Sequence, residues 1–192
     1  MIDALRQYFK NLTNVQEHQL DHILSFFEPI QYKKNDIILR PGEICRHNYF
    51  VVKGGVRFFT VNEKGFEFTR YFAFENKFGT ALSSFITKQP SIEYIQCIEE
   101  TELLMIAQHH FIDLVQKDST MNFIYQNVLE KAYITSQQRI YSLQGESALD
   151  RLKWLLDYQP DIFSRVSSKI IASYLGVTTY TLSRLKVALY KH

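Results

Sequence analysis

Apolar residues recur at three- and four-residue steps over the first 27 positions, at Leu5, Tyr8, Phe9 and Leu12, then at Leu20, Ile23, Leu24 and Phe27. That period predicts helices with one apolar face, placed to cover a sheet. From about Gln31 the texture changes to short β-branched and aromatic runs broken by turn residues. These are IILR before Pro41-Gly42-Glu43, YFVV before Lys53-Gly54-Gly55, VRFFTV, a turn at Asn62 to Gly65, and FEFTRYFAF. Between Lys77 and Thr87 the pattern is small and polar, and strands resume at EYIQCIE and ELLMIA. Short strands at this spacing predict an antiparallel roll or barrel.

After Gln108 the helical period returns. Tyr125, Leu129, Ala132, Ser136, Ile140 and Leu143 fall at steps of four and three, with Ile124 and Val128 widening the stripe. A helix of some 20 residues carrying one continuous apolar stripe needs a surface to pack on. A second copy of the same helix is the economical partner, and the chain's own β domain is the alternative. Gly145 then reads as a helix stop and Ser147 as the next N-cap, ahead of ALDRLKWLLDY, which Pro160-Asp161 ends.

The final segment, Ile170 to Lys186, has the spacing of a helix-turn-helix. Ala172 supplies the small residue where two crossing helices touch, Gly176 the turn, and Leu182 the inward anchor six positions on. Ile171, Leu175, Val177 and Leu185 complete the small core, with Ser167 or Ser168 capping the first helix and Thr178 the second. The outward face then presents Thr179, Tyr180, Ser183, Arg184 and Lys186. Arg184 is suited to a bidentate contact with guanine, and Ser168 and Lys169 to the nucleic-acid backbone. The chain ends six residues after Lys186, so a wing is expected from the segment before the motif, around Phe163 to Val166.

Charge sharpens that reading. Between Ile162 and His192 stand Arg165, Lys169, Arg184, Lys186 and Lys191 without an acid; the overall formal charge is +2, so the remainder is net −3. Such segregation suits a module facing phosphates. Length and 46% hydrophobic composition allow one large domain and one small one. The N-terminus has neither a secretory signal nor a membrane-length apolar run, so the expected location is the cytoplasm with no membrane partner. Cys45 and Cys97 lack the spacing of a disulfide framework, zinc knuckle or four-cysteine cluster.

Taken together, the RPGE and VVKGGVRFF turns, the long helix and IASYLG followed by T.SRL resemble the Crp–Fnr superfamily of bacterial transcription regulators across essentially the whole chain. The resemblance implies an α+β fold in three parts. Residues 1–118 would form an antiparallel β-roll of double-stranded β-helix (jelly-roll-like) type, 119–145 a dimerisation helix, and 146–192 a winged-helix-like helix-turn-helix domain. It implies a homodimer on double-stranded DNA, contacts with RNA polymerase, and a roll that takes a small effector. Tyr125, Val128, Leu129, Ala132, Ser136 and Ile140 would form the dimer seam.

Cyclic-nucleotide binders of that family carry a short helix opening with Gly-Glu and, about ten residues on, an Arg followed by Ser or Thr. Here the matching stretch is FGTALSSFITKQPSIEY, with Ala81 in place of the Glu and Ser91-Ile92 near the Arg-Ser position. No arginine occurs between Arg70 and Arg139. Lys88 is a point charge that does not reproduce the guanidinium fork. Cyclic AMP is therefore not the expected ligand. The remaining expectations are a different apolar or acidic effector against Thr80, Ala81, Leu82, Ser83, Ser84, Lys88 and Ser91, or an empty, constitutively competent roll. His47, His109 and His110, the nearest candidates for haem, read as surface or turn residues, and no metal site is expected.

No Ser-His-Asp set, HExxH or phosphate-binding glycine loop is present, and Glu99 and Glu100 project to opposite sides of a strand, so an enzyme is not expected. The rival reading is a ligand-sensing module that signals to a protein partner without binding DNA.

Overall fold

The computed structural model describes residues Met1–Leu189. Two helices, α1 (Ile2–Leu12) and α2 (Glu17–Leu24), precede strands β1 (Glu28–Tyr32), β2 (Ile37–Leu39), β3 (His47–Lys53), β4 (Val56–Val61), β5 (Glu67–Ala73) and β6 (Phe78–Gly79). A short helix α3 (Leu82–Thr87) leads into β7 (Tyr94–Cys97) and β8 (Thr101–Ala107). The rest of the described chain is helical: α4 (Gln108–Lys117), α5 (Ser119–Gly145), α6 (Ala148–Tyr158), α7 (Ile162–Arg165), α8 (Ser168–Leu175) and α9 (Thr179–Leu189).

The strands form two four-stranded sheets, in the orders β1-β8-β3-β6 and β2-β7-β4-β5. The β1–β8, β3–β8, β3–β6 and β2–β7 pairings are antiparallel, as the expected roll requires. Phe50, Phe58, Ile95, Leu103 and Ile106 are fully enclosed. As the apolar period predicts, α1 covers a sheet: Tyr8 lies 5.3 Å from Phe50 on β3, and Phe9 stacks on Phe78 of β6.

Two elements differ from the sequence expectation. β1 starts at Glu28 rather than near Gln31 and contains Pro29, which faces Leu104. β1 is an edge strand, where a residue without an N–H is tolerated. The small, polar Lys77-to-Thr87 stretch holds β6 and α3, both too short to generate a readable period.

The chain divides into two compact units. One comprises Met1–Phe58 and Phe72–Lys131; the other joins Phe59–Tyr71 to the chain from Ala132 onward. In the second unit the tip of the β4–β5 hairpin is tied to α8, because Thr69 and Ser173 share a hydroxyl hydrogen bond of 2.6 Å and Lys169 pairs with Glu67 at 3.6 Å. Helix α5 belongs to both units. Asp118 caps it by accepting from the Met121 N–H at 2.9 Å, and it ends at Gly145 as expected. Ser147 caps α6 through the Asp150 N–H.

Candidate nucleic-acid interface

Ser167 begins the motif by accepting from the Ile170 N–H. Ile171, Ala172, Tyr174 and Leu175 turn inward on α8, and Gly176 follows with φ +69°, the left-handed conformation that ends a helix cleanly. The Val177 N–H returns to the Ala172 carbonyl at 3.0 Å, closing the turn. Thr178 then caps α9 by accepting from the Thr181 N–H at 3.1 Å. Leu182 is fully buried, so its register fixes which α9 residues face outward.

Thr178, Thr179, Tyr180, Ser183 and Arg184 are exposed, with Tyr180 at 72%. Thr179 and Ser183, and Tyr180 and Arg184, are each four apart and share a helix face; the Arg184 guanidinium lies 6.0 Å from the Tyr180 ring. Ser168 and Lys169 are also exposed, at the start of α8. Two of the expected cations are partly occupied by protein. Lys169 pairs with Glu67, and Lys186 sits over the Phe163 ring at 3.7 Å while donating to Ser168 Oγ at 3.3 Å. The nearest acid upstream, Asp161, is paired with Arg165 at 3.4 Å. Lys191 lies outside the described residues.

The expected wing segment is different. Ile162–Arg165 forms one helical turn, with Ile162 and Val166 buried, and no strand occurs between Glu146 and Leu189 among the described residues. Burial of Ile162 and Val166, four apart on one helical face, selects a turn of helix over an alternating strand.

On α5 the expected seam residues separate by position. Tyr125 meets Phe111 edge-on at 5.4 Å and Val128 is half-buried, whereas Leu129, Ala132, Ser136 and Ile140 are exposed. Leu129 is 38% exposed and Ile140 46%. Leu129 and Ile140 are large apolar side chains open to solvent, as an interaction surface presents.

Within the roll, the residues expected around an effector are engaged by the chain itself. Thr80 donates to the His47 carbonyl at 3.0 Å. Ser84 accepts from the Cys45 N–H and donates to the Gln89 carbonyl, and Ser91 bonds both the Glu93 N–H and its carbonyl. Ala81 is buried at the start of α3; Leu82, Ser83 and Lys88 are exposed. The arginine inside the roll is Arg57, buried on β4, whose Nε donates to Gln96 at 2.8 Å. Cys45 and Cys97 are both buried free thiols. His47 is half-buried, and that burial lowers its pKa; His109 and His110 open α4 on its exposed side. No group of three or more His, Cys, Asp or Glu suited to a metal occurs among the described residues.

Sequence reasoning missed Arg139. Its Nη2 donates to the Tyr174 carbonyl at 2.7 Å and the Thr69 carbonyl at 3.0 Å, and its guanidinium lies over the Tyr174 ring. The available signal was that Arg139 is the sole charge between Lys131 and Glu146 on a helix otherwise polar or apolar there. Arg151 was missed too; it holds the Leu175 carbonyl at 3.1 Å and the Glu146 carbonyl at 2.8 Å.

Residues 29–118 match the cyclic nucleotide-binding domain family. No curated protein matches the chain. Solved structures of similar fold include FixK2 from Bradyrhizobium japonicum, with TM-score 0.75, 17% identity, and coverage of 86% of this chain and 85% of that one. The c-di-GMP-responsive global regulator CLP of Xanthomonas campestris aligns with TM-score 0.72 and 18% identity, over 92% of each chain. A crp/fnr-family regulator from Eubacterium rectale aligns with TM-score 0.73 and 17% identity, over 93% of this chain and 85% of its own. No described helix is long and apolar enough to cross a membrane. Residues 29–118 thus match the cyclic nucleotide-binding domain family, and the chain has the fold of the solved crp/fnr-family regulator.

Proposed function

We propose that this protein is a sequence-specific, homodimeric DNA-binding transcription regulator acting in the cytoplasm. The observation that carries the reading is the outward face of α9: Thr179, Tyr180, Ser183 and Arg184 stand exposed on a helix whose register Leu182 fixes, in a segment without a carboxylate from Ile162 to Leu189. The N-terminal half of such a helix enters the major groove, where Arg184 reads a guanine edge. Thr178, Ser168, Lys169 and Lys186 hold the backbone, and forming those contacts costs Lys169 its pairing with Glu67.

The division of labour follows: residues 1–118 as the effector roll, 119–145 as the dimer helix, and 146–192 as the DNA-binding part. Pairing of two α5 helices through Leu129, Ala132, Ser136 and Ile140 covers their exposed apolar atoms and sets two recognition helices about 34 Å apart. RNA polymerase is the expected protein partner, and the protein carries out no chemistry of its own. The roll lacks the acid and arginine that would anchor a cyclic nucleotide, so cyclic AMP is not its effector.

The test is a titration of fluorescent promoter duplex with full-length protein at increasing salt. Binding is expected to weaken steeply, by roughly 10³-fold or more between 50 and 200 mM salt if about six phosphates are neutralised, and to be unmoved by cyclic AMP. Absence of binding, or affinity flat across salt, contradicts the reading.

A further inference from the structure

A cavity of about 330 Å³ lies within the second unit, between the C-terminal part of α5, the middle of α6 and the end of α8. Arg139, Arg151, Glu146, Tyr141, Trp154 and Tyr174 are among its lining residues. Three observations say what it is built to hold. First, it joins two guanidinium groups whose known protein contacts leave donors over: Arg139 uses Nη2 for its two carbonyls, and Arg151 uses Nε and Nη1. Second, the charge balance favours an anion of one unit. The lining carries two arginines against Glu146, whose carboxylate already accepts from Ser142 at 2.6 Å. Burial holds the Arg139 pKa below the usual arginine value; Tyr174 opposes the shift, and the Arg70 and Arg151 cations add to it. Third, the walls between the charged groups are flat or apolar: Trp154, Tyr141, Tyr174 and Leu143.

We propose that this cavity binds a small aromatic monocarboxylate, its carboxylate forked by Arg139 and Arg151 and its ring against Trp154. A guanidinium matches a carboxylate in two parallel hydrogen bonds, which makes an arginine pair a specific partner for that group. A phosphate dianion would place a second negative charge beside Glu146, so the balance selects the singly charged acid. The volume is at the lower end of small-molecule sites, which fits a one- or two-ring acid. On α5 the cavity face (Arg139, Ser142, Glu146) adjoins the apolar stripe, with Leu143 common to both. If α5 is the dimer seam, an occupant here touches the helix that positions the recognition motif. That consequence rests on the function proposed above; binding itself does not.

Trp154 is the chain's single tryptophan, so its emission reports on this cavity directly. Benzoate and phenylacetate are titrated into full-length protein without DNA, with benzamide, acetate and inorganic phosphate as controls. The expected result is a saturable change in Trp154 emission with at least one of the two aromatic acids. Each control should need at least tenfold more ligand for half-saturation. Arg139→Lys, which keeps charge and loses the fork, should weaken binding at least tenfold. Ser142→Phe, which places a ring in the cavity, should do the same at unchanged circular dichroism. No saturable response to either acid, an equal response to benzamide, or wild-type binding by folded Ser142→Phe overturns the proposal. Because no DNA is present, such a failure leaves the DNA-binding reading untouched.

Discussion

The Arg139 guanidinium lies 3.7 Å from the centre of the Tyr174 ring and donates to that residue's own carbonyl at 2.7 Å. One side chain of α5 therefore grips both the face and the backbone of α8, at the helix end where Leu175 leads into Gly176. A desolvated cation over an aromatic ring contributes up to about 2 kcal/mol, and a hydrogen bond from a charged donor about 1.5–3 kcal/mol. These contributions overlap at a half-buried site, so Arg139→Ala is expected to lose about 2–4 kcal/mol. Urea unfolding followed by circular dichroism checks it, and a midpoint within error of wild type would mean that the grip carries no stability.

Gly176 and Gly54 both have positive φ, at +69° and +85°, yet substitution should affect them unequally. A Cβ on Gly176 meets only Leu143 Cδ2 at 3.7 Å, an ordinary contact, so Gly176→Ala carries the left-handed strain alone, about 1–2 kcal/mol. Gly176→Asn should cost less. A Cβ on Gly54 falls 2.4 Å from the Glu100 carbonyl oxygen, where backbone must move, so Gly54→Ala should be the more damaging. Thermal melts of the three variants give the ranking; Gly176→Ala as harmful as Gly54→Ala would contradict it.

Leu129 stands 38% exposed midway along the α5 stripe. If that stripe is a seam between two copies, Leu129→Glu places two carboxylates against each other in an apolar contact. Sedimentation velocity should show a shift from dimer to monomer at micromolar concentration, with helix content preserved. A sedimentation coefficient equal to that of wild type would move the seam elsewhere.

Cys97 is fully buried, and burial pushes its thiol up to about 11, with the Thr101 hydrogen bond opposing and Asp36 adding to the rise. The folded state therefore holds a proton that the unfolded thiol releases near pH 9. The associated stability is complete below about pH 9 and lost as pH climbs toward 11, by up to about 2–3 kcal/mol. Denaturant midpoints measured from pH 8 to 10.5 should fall more steeply in wild type than in Cys97→Ala. Parallel profiles would show that this thiol does not govern alkaline stability.

What the sequence makes legible is local. Ala172, Gly176 and Leu182 sit within one short stretch, so their spacing alone defines the helix-turn-helix, and Ser147, Ser167 and Thr178 cap where the pattern places them. The α5 stripe is equally visible, because a 27-residue helix repeats its face many times. The relationships that escape are long-range and polar. Thr69 meets Ser173 across 104 positions, and Arg139 reaches Thr69 across 70, with no periodic signal to announce either. β6 has two residues and α3 six, too few to show a period, and Pro29 conceals the start of an edge strand that tolerates it. The residues expected around an effector show a different limit. Sequence position groups Thr80, Ser84 and Ser91 in one stretch of the roll, but does not announce that each spends its hydroxyl on backbone of the chain itself.

Operator selection tests whether α9 reads DNA through Arg184. Full-length protein is used to select binding duplexes from a random pool, and the selected site is footprinted and then challenged base by base. The expected result is an inverted-repeat site with two protected major-groove segments about 10 base pairs apart. Within it, substitution of one guanine position should cost about 1–3 kcal/mol with wild type and little with Arg184→Ala. No enriched sequence, or identical base preferences with and without the Arg184 side chain, would contradict DNA reading through Arg184.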